Sequence, residues 1–187
     1  MTPLTRPFTG DDLAGLQGHL LRHRAESGRG DHHFMPFAPD DTEGPSGIDV
    51  EAIGKPLNEI GWQRWFIAIV DDGTVIGHVD LKGDRLKTGL HRCELGIGIE
   101  RAYRGRGLGQ RLMETAIHFA REANSLAWVD LRVFGHNASG RALYRSLGFS
   151  EIGTIEDRFR IEGRPIDDVV MALNLERRAP HIPRNRP

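Results

Sequence analysis

A strand that passes through a turn rich in glycine and arginine directly into a helix constrains this chain more than any other feature. The segment covers residues 94–112, and its sequence is ELGIGIERAYRGRGLGQRL. Glycines leave backbone N–H groups uncovered, and the first N–H groups of a helix have no intrahelical acceptor. Donors arranged in this way bind phosphate groups, and Arg104 and Arg106 supply charges that strengthen such contacts. The segment therefore predicts a site for a phosphate-containing ligand.

Two common nucleotide-binding loops do not fit this turn. A Walker loop requires a lysine directly after its last glycine, and no lysine follows the glycines here. A Rossmann turn requires Gly-x-Gly-x-x-Gly, whereas Gln110 stands at the position of the third glycine. The acidic residue that a Rossmann fold needs near the end of the next strand is also misplaced, because Asp130 lies near the start of that strand. The alternative that remains is a surface turn without a ligand.

Hydrophobic patterning along the chain predicts an α/β domain with a mixed sheet. The predicted order is strand, helix, helix, a hairpin of two strands, then strand, helix, strand, helix, strand, strand. Residues 27–47 are expected to form a long loop and residues 176–187 a disordered tail, so we expect a single domain over residues 1–175. Further expectations are a first helix from Asp11 or Asp12 to about Arg24, a helical stretch over 49–61, hairpin turns at 72–73 and 162–163, and a short helix over 138–147.

Composition and charge exclude several classes of protein. Hydrophobic residues make up 39% of the 187 residues and charged residues 27%, as in soluble globular domains. The formal net charge of -1 provides no general field for nucleic acid or an anionic membrane. No apolar run approaches the roughly 20 residues that span a bilayer, and the first residues lack the pattern of a secretory signal. We therefore expect a cytoplasmic protein without a nucleic-acid or membrane partner.

Two motifs resemble the GCN5-related N-acetyltransferase (GNAT) superfamily. Arg104-x-x-Gly107-x-Gly109 resembles its Gln/Arg-x-x-Gly-x-Gly/Ala signature, and NASGRALYRSLGF at 137–149 resembles its second motif. The resemblance covers roughly residues 65–175, with both motifs in the expected order and spacing. It implies a mixed, mostly antiparallel central sheet that is flanked by helices and splayed between its fourth and fifth strands. It also implies an acetyl-CoA-dependent N-acetyltransferase that acts on a primary amine of a small molecule or a protein N-terminus.

The resemblance assigns cofactor-binding roles to specific positions. Ile97, Gly98 and Ile99 would lie beside the pantetheine arm, where a backbone N–H could also polarise the thioester carbonyl. Asn137 would hold the cofactor or position the short helix. Backbone N–H groups of the turn would bind the CoA pyrophosphate, and the residues concerned are Arg104, Gly105, Arg106, Gly107, Leu108, Gly109 and Gln110.

Catalytic roles are predicted for Tyr144 and Glu94. The resemblance implies that Tyr144 protonates the departing thiolate, whereas on sequence grounds alone it could be a core residue of the short helix. An ammonium acceptor must lose a proton before it attacks, and Glu94 alternates with Gly96 and Gly98 on a strand face that we expect to border open space. Glu94 could instead pair with Arg92 or a lysine. Asp80 on the preceding strand is the alternative base.

Other reactive side chains are expected to have structural roles. His19 and His23 are four residues apart on the first helix, and we expect a solvated face there rather than a metal site. His32 and His33 fall in the long loop, which could line the substrate pocket. Cys93 is expected in the core, because direct transfer from a thioester to an amine needs no covalent acyl-enzyme.

The sequence predicts acetyl-CoA as co-substrate and no metal. The alternative to an enzyme is a non-catalytic module that binds acyl-CoA for regulation or sensing. The identity of the amine does not follow from the sequence, because acceptor specificity in the superfamily normally comes from the N-terminal helices and the loop after them. The resemblance also allows a homodimer, which no surface pattern in the sequence demonstrates.

Overall fold

The computed structural model describes residues 3–29, 32–37 and 48–176. Most of the expected loop at 27–47 and nearly all of the expected tail at 176–187 therefore lie outside the described residues. The elements follow the predicted order and are β1 (Leu4–Pro7), α1 (Leu13–Glu26), α2 (Val50–Gly54), β2 (Gln63–Ile69), β3 (Val75–Gly83), β4 (Arg92–Ile99), α3 (Leu108–Glu122), β5 (Trp128–Phe134), α4 (Ala138–Ser146), β6 (Ser150–Ile161) and β7 (Arg164–Asn174).

The second helix, α2, is shorter than the helical stretch expected over 49–61. Asp49 begins it by accepting a hydrogen bond from the Ala52 N–H at 3.1 Å. Lys55 then turns to extended backbone, with ψ at 142°. Pro56 follows, and a residue before proline is disfavoured in the helical region. The proline therefore ends the helix after little more than one turn.

The seven strands form one sheet in the order β1-β2-β3-β4-β5-β7-β6. All neighbouring pairs are antiparallel except β4 and β5, which run parallel. A mixed, mostly antiparallel sheet flanked by helices is thus confirmed. Within the described ranges, no helix is long and apolar enough to span a membrane.

Strands β4 and β5 separate part-way along their length. Their pairing runs from Arg92 opposite Trp128 to Leu95 opposite Leu131. Beyond that point β4 continues to Ile99 and β5 to Phe134 without further pairing between them. The predicted splay between the fourth and fifth strands is therefore present, and it opens towards the glycine-rich turn that follows β4.

The two faces of the sheet near this splay differ in chemistry. Alternate residues of β3 and β4, including Leu81 and Cys93, point into the main apolar core with α3. Burial raises the pKa of the Cys93 thiol to about 12, which fits the expected core position and leaves little thiolate at neutral pH. The intervening residues, including His78 and Asp80, face the side on which α1 packs. That second face is buried and polar.

Candidate active site

The turn between β4 and α3 presents backbone donors at the open end of the splay. Gly105 and Gly107 have φ values of +72° and +74°, a left-handed conformation that glycine adopts without steric cost. The first hydrogen bond of α3 runs from the Arg111 N–H to the Gly107 carbonyl at 3.2 Å. The N–H groups of the three residues before Arg111 therefore precede the helical ladder. A Cβ atom at Gly105 would meet no other atom within 4 Å, so the surface of the turn is accessible.

The two arginines of the turn have different surroundings. The Arg104 Nε donates to the Ile99 carbonyl at 2.8 Å, and its Nη2 lies 3.2 Å from Glu26 Oε2. Its guanidinium also covers the Phe34 ring at 4.7 Å, and its backbone N–H donates to the Arg101 carbonyl. Arg104 therefore fastens the turn to β4 and α1. Arg106 is exposed, and of the two side chains it is the better placed for the expected phosphate contact.

Helix α4 lies beside the start of α3 and is fixed by Asn137. The Asn137 Oδ1 accepts hydrogen bonds from the Gly140 N–H at 2.9 Å and the Ser139 hydroxyl at 3.2 Å. This side chain caps the helix, which corresponds to the second of its two expected roles. A Cβ atom at Gly109 would lie 3.1 Å from Leu143 Cδ2, so the absence of a side chain lets the two helices approach closely.

Tyr144 is buried on the core side of α4. Its side chain belongs to the main apolar cluster, and its ring centroid lies 6.2 Å from that of Phe149. Burial raises the pKa of the hydroxyl to about 12, so it keeps its proton at neutral pH. The ring thus has the core contacts of a structural residue, and the hydroxyl is in the protonation state that a general acid requires.

Glu94 and Asp80 lie on the same face of the sheet in different environments. Glu94 is exposed and stands opposite Lys82 in the register of β3 and β4. The expected alternative partner, Arg92, is instead bound to Asp130. Asp80 is 4% exposed, its Oδ2 lies 3.1 Å from the Lys82 Nζ, and burial raises the pKa of its carboxyl.

The open space expected beside Gly96 and Gly98 is filled, so that expectation is wrong. A Cβ atom at Gly96 would lie 2.7 Å from Asp80 Oδ1, and one at Gly98 would lie 2.5 Å from His78 Cε1. The two glycines therefore make room for side chains of the neighbouring strand. As a result, Asp80 and His78 extend directly over the β4 backbone.

The solvated helix face expected for His19 and His23 is also wrong. Both side chains are buried, at 0% and 4% exposure, because α1 packs this face against β3. Burial of Leu16 and partial burial of Leu20 mark the same face. Leu16, His19, Leu20 and His23 are spaced by three or four residues, as on one face of a helix. This spacing predicts a buried face when the histidines are included with the leucines.

A third histidine and a carboxylate complete a buried cluster with these residues. His19 Nε2 lies 2.9 Å from His78 Nδ1, and His19 Nδ1 lies 2.9 Å from Glu100 Oε1. Burial lowers the pKa of all three imidazoles, that of His23 to about 3. The rings are therefore neutral at pH 7. In the part of the chain that the structure describes, no group of three or more His, Cys, Asp or Glu side chains could hold a metal ion.

Residues 32–37 connect the α1 side of the cluster with the turn after β5. The Phe34 ring stacks on His23 with centroids 4.8 Å apart. The His136 Nε2 lies 2.7 Å from the His33 carbonyl oxygen, and His33 Nε2 lies 3.5 Å from Glu162 Oε2. This segment therefore bridges the two sides of the splayed sheet.

Comparison with known proteins identifies the family. The model of the acetyltransferase (GNAT) family matches residues 34–149. The N-alpha-acetyltransferase RimI of Mycobacterium tuberculosis is 30% identical over 129 residues, which cover 68% of this chain and 73% of that protein. This chain belongs to the GNAT acetyltransferase family.

Solved structures support the GNAT assignment at the level of the fold. A GNAT acetyltransferase of Streptococcus pneumoniae superposes with a TM-score of 0.77 at 27% identity, covering 92% of this chain and 99% of that one. The yncA protein of Salmonella typhimurium, solved with its cofactor acetyl-CoA, gives a TM-score of 0.74 at 18% identity and covers 96% of this chain and 97% of that one. The predicted family and fold class are confirmed.

Membership of the GNAT family also confirms the predicted class of activity. The protein is an acetyl-CoA-dependent acyltransferase of the N-acetyltransferase type, with acetyl-CoA as its co-substrate. The site assignments made from the sequence are not decided by these comparisons. Tyr144, Glu94 and the cofactor-binding positions therefore stay predictions.

Proposed function

We propose that this GNAT enzyme transfers the acetyl group of acetyl-CoA directly to a primary amine in a ternary complex. The observation that carries the proposal is the splay of β4 from β5. It opens beside the backbone donors that begin α3, and it borders the polar face where Asp80 and Glu94 lie. A single opening thus adjoins an anion-binding turn and side chains able to accept a proton.

The cofactor half of this site is assigned to backbone groups. The N–H groups of 105–110 would bind the pyrophosphate, and Ile97 to Ile99, on the unpaired part of β4, would lie beside pantetheine. Because the first turn of α3 contains no acidic residue, no nearby carboxylate on the helix opposes a bound anion. Arg106 adds a positive charge at the exposed edge.

The proposed acid and the proposed base lie on opposite faces of the sheet. Tyr144 on the core face is the proposed general acid for the CoA sulfur, and its raised pKa keeps it protonated. The base is proposed on the α1 face, where Glu94 and Asp80 are the two candidates. Carboxylates on this face also favour an acceptor that arrives as an ammonium ion.

We further propose an α-amine, of a peptide N-terminus or an amino acid, as the acceptor. The Mycobacterium tuberculosis relative is named as an N-alpha-acetyltransferase. An α-amine has a pKa of about 7.7–8.0, so it needs less help from a base at neutral pH than a lysine side chain, whose pKa is about 10.4.

A panel of amines with detection of the released CoA thiol tests this function. The panel contains peptides with different N-terminal residues, free amino acids, polyamines and lysine derivatives blocked at the α-amine. We expect thiol release with at least one α-amine, and a product heavier by one acetyl group in mass spectrometry. Binding of acetyl-CoA without thiol release above hydrolysis for any amine would contradict the proposal and favour the sensing module.

A further inference from the structure

Four buried or half-buried side chains form a line that begins beside α1 and ends above β4. Glu100 contacts His19, His19 contacts His78, and both contacts are 2.9 Å long. At the far end, His78 Nε2 lies 3.8 Å from Asp80 Oδ1, about 1 Å longer than a hydrogen bond. The line joins α1, β3 and the residue that follows β4.

The hydrogen-bonding capacity of each group fixes where the protons lie. Arg22 binds the same Glu100 oxygen at 3.0 Å, which holds this oxygen as an acceptor. His19 must therefore donate from Nδ1, and a neutral imidazole that donates from Nδ1 accepts at Nε2. His78 in turn donates from Nδ1 to His19. The Nε2 of His78 is consequently an unprotonated acceptor that faces Asp80.

The two atoms that face each other at this end are both proton acceptors. His78 Nε2 carries a lone pair, and Asp80 Oδ1 belongs to a carboxylate whose other oxygen is paired with Lys82. One added proton would convert this contact from repulsive to attractive. Because Gly96 and Gly98 lack side chains, both groups lie directly over β4, beside the strand edge that separates from β5.

We propose that His78 Nε2 and Asp80 Oδ1 together accept the proton that the acceptor amine must lose, and that Glu100 and His19 hold His78 in the tautomer this requires. The inference rests on the proposed acetylation of an amine. Asp80 and His78 are the groups that meet the proton, whereas His19 and Glu100 are positioning residues. The arrangement follows the logic of a catalytic triad, in which the outer groups orient an imidazole and stabilise its charged form.

The protons balance in this scheme. An ammonium acceptor loses two protons as the N–C bond forms and the C–S bond breaks. The first passes to the Asp80 and His78 pair before attack and leaves for water after turnover. The second replaces the proton that Tyr144 gives to the CoA sulfur, which leaves as a thiol. No other reactant is needed.

Charged groups around His78 and Asp80 determine whether the pKa values of this pair rise or fall. Glu100 favours the protonated imidazoles, whereas Arg22 and Lys82 oppose them. Glu94, which carries the opposite charge, stands opposite Lys82 in the register of β3 and β4. Among the residues that the structure describes, His23, Glu26 and Arg104 also face the cluster from neighbouring elements.

The tautomers can be measured on the wild-type protein without an acceptor. Long-range 1H–15N correlation spectra of protein labelled with 15N-histidine distinguish Nδ1–H from Nε2–H rings, and His19→Gln and His78→Gln assign the signals. We expect both rings to be neutral and in the Nδ1–H form at pH 7. An Nε2–H tautomer at His78 would overturn the inference, whatever the outcome of the amine panel.

The pH profile of kcat/KM tests the positioning roles with one variant of Glu100 and one of Arg22. Glu100→Gln removes the charge that favours protonation, so the acid limb should move to lower pH, by about 0.5 unit, and the plateau should fall. Arg22→Gln removes an opposing charge, so the acid limb should move to higher pH. The same amine is used for both variants, so its own titration cancels. A loss of packing alone would not shift the limbs in opposite directions, and shifts in one direction would contradict the inference.

Asp80→Asn and His78→Gln test the accepting pair itself. We expect each to lower kcat at least about 100-fold while acetyl-CoA still binds. Folding is checked by circular dichroism and acetyl-CoA binding by calorimetry. If these variants are folded and retain wild-type kcat, the inference fails while the proposed acetylation stands. If the wild type acetylates no amine, the proposed function fails, and the tautomers still decide the arrangement of the cluster.

Discussion

The cofactor turn and the α1 face of the sheet border the same splay, but they present different chemical groups. The turn is one continuous segment, residues 104–110, that offers backbone N–H groups at an exposed surface. The α1 face brings together side chains from α1, β3 and the residue after β4, and it buries them. One region uses the peptide backbone and the other uses titratable groups.

This difference corresponds to the chemistry proposed on each side. Binding a pyrophosphate requires fixed donors whose charge does not change with pH, and backbone N–H groups satisfy that requirement. Accepting a proton requires a titratable group with a pKa near the working pH. Burial raises the pKa of Asp80 and lowers that of His78. Substitutions in the two regions should therefore have separable effects on cofactor binding and on turnover.

Outside the two regions, the largest effect on turnover is expected at Tyr144, which lies on α4 in the main apolar core. Tyr144→Phe removes the proposed acid while keeping the buried ring. General acid catalysis is worth about 10²–10⁴-fold, and a thiolate is a tolerable leaving group, so kcat should fall about 100-fold with KM for acetyl-CoA nearly constant. Tyr103→Phe is the matched control and should keep kcat. An increase in KM with unchanged kcat would assign Tyr144 to cofactor positioning.

Acid should destabilise the protein through its buried histidines. The folded-state pKa of His23 is about 3, against 6.5 for an unperturbed imidazole, so the unfolded state binds more protons between these values. Stability is therefore complete above about pH 6.5 and falls as the pH decreases towards 3. At pH 5 the loss from His23 alone is about 2 kcal/mol. His19 and His78 act in the same direction, whereas Asp80, whose pKa is raised, opposes them.

Urea unfolding at pH 7 and pH 5 measures this loss. Replacement of His23 by glutamine should remove part of the difference between the two pH values. If His23→Gln leaves the difference between the two pH values unchanged, His23 is not buried in its neutral form, and the contrast between the two regions is lost.

A methyl group at Gly98 should disturb the histidine cluster on the α1 face. Its Cβ would lie 2.5 Å from His78 and 2.7 Å from His23, closer than real contacts allow. Overpacking of this kind typically costs about 1–3 kcal/mol, and turnover should fall because the rings must move. Gly153→Ala is the control, since Gly153 also lies in a strand but has no atom within 4 Å. Thermal unfolding that is equal for the two variants would contradict the close packing.

The smallest effect is expected at Glu94. If the Asp80 and His78 pair accepts the proton, Glu94→Gln should lower kcat/KM less than tenfold, and the loss should fall on the plateau and not on the acid limb, because the positive charge of Lys82 lowers the pKa of both groups of the pair. The measurement is a full pH profile beside that of Asp80→Asn. A larger loss in Glu94→Gln than in Asp80→Asn would make Glu94 the base, as the sequence alone predicts.

Local patterns account for what could be predicted from the sequence. The order of elements, the hairpins and the glycine-rich turn depend on residues that are close in the chain, so their periodicity and turn chemistry are visible in one sequence. The helix α2 is shorter than expected because Pro56 disfavours a helical conformation at Lys55. The splay was expected only from the resemblance to the GNAT superfamily, since no local pattern encodes where two parallel strands separate.

The histidine cluster could not be predicted because its contacts are distant in sequence. His19 and His78 are 59 residues apart, and His19 and Glu100 are 81 apart. The polar character of His19 and His23 suggested solvent, whereas His78 and Glu100 supply the hydrogen bonds that allow His19 to be buried. In the same way, Gly96 and Gly98 suggested an open surface, although side chains from β3 occupy the space beside them.

Acetyl-CoA binding by the turn is tested most directly by calorimetry on two glycine variants. Gly107 and Gly163 have nearly the same φ, +74° and +75°, so valine imposes comparable backbone strain at either position. Only Gly107 lies at the proposed pyrophosphate site. We predict that folded Gly107→Val loses at least about tenfold in acetyl-CoA affinity, equivalent to 1.4 kcal/mol, while Gly163→Val keeps wild-type affinity. Unchanged affinity in a folded Gly107→Val protein would contradict the assignment of the turn to the cofactor.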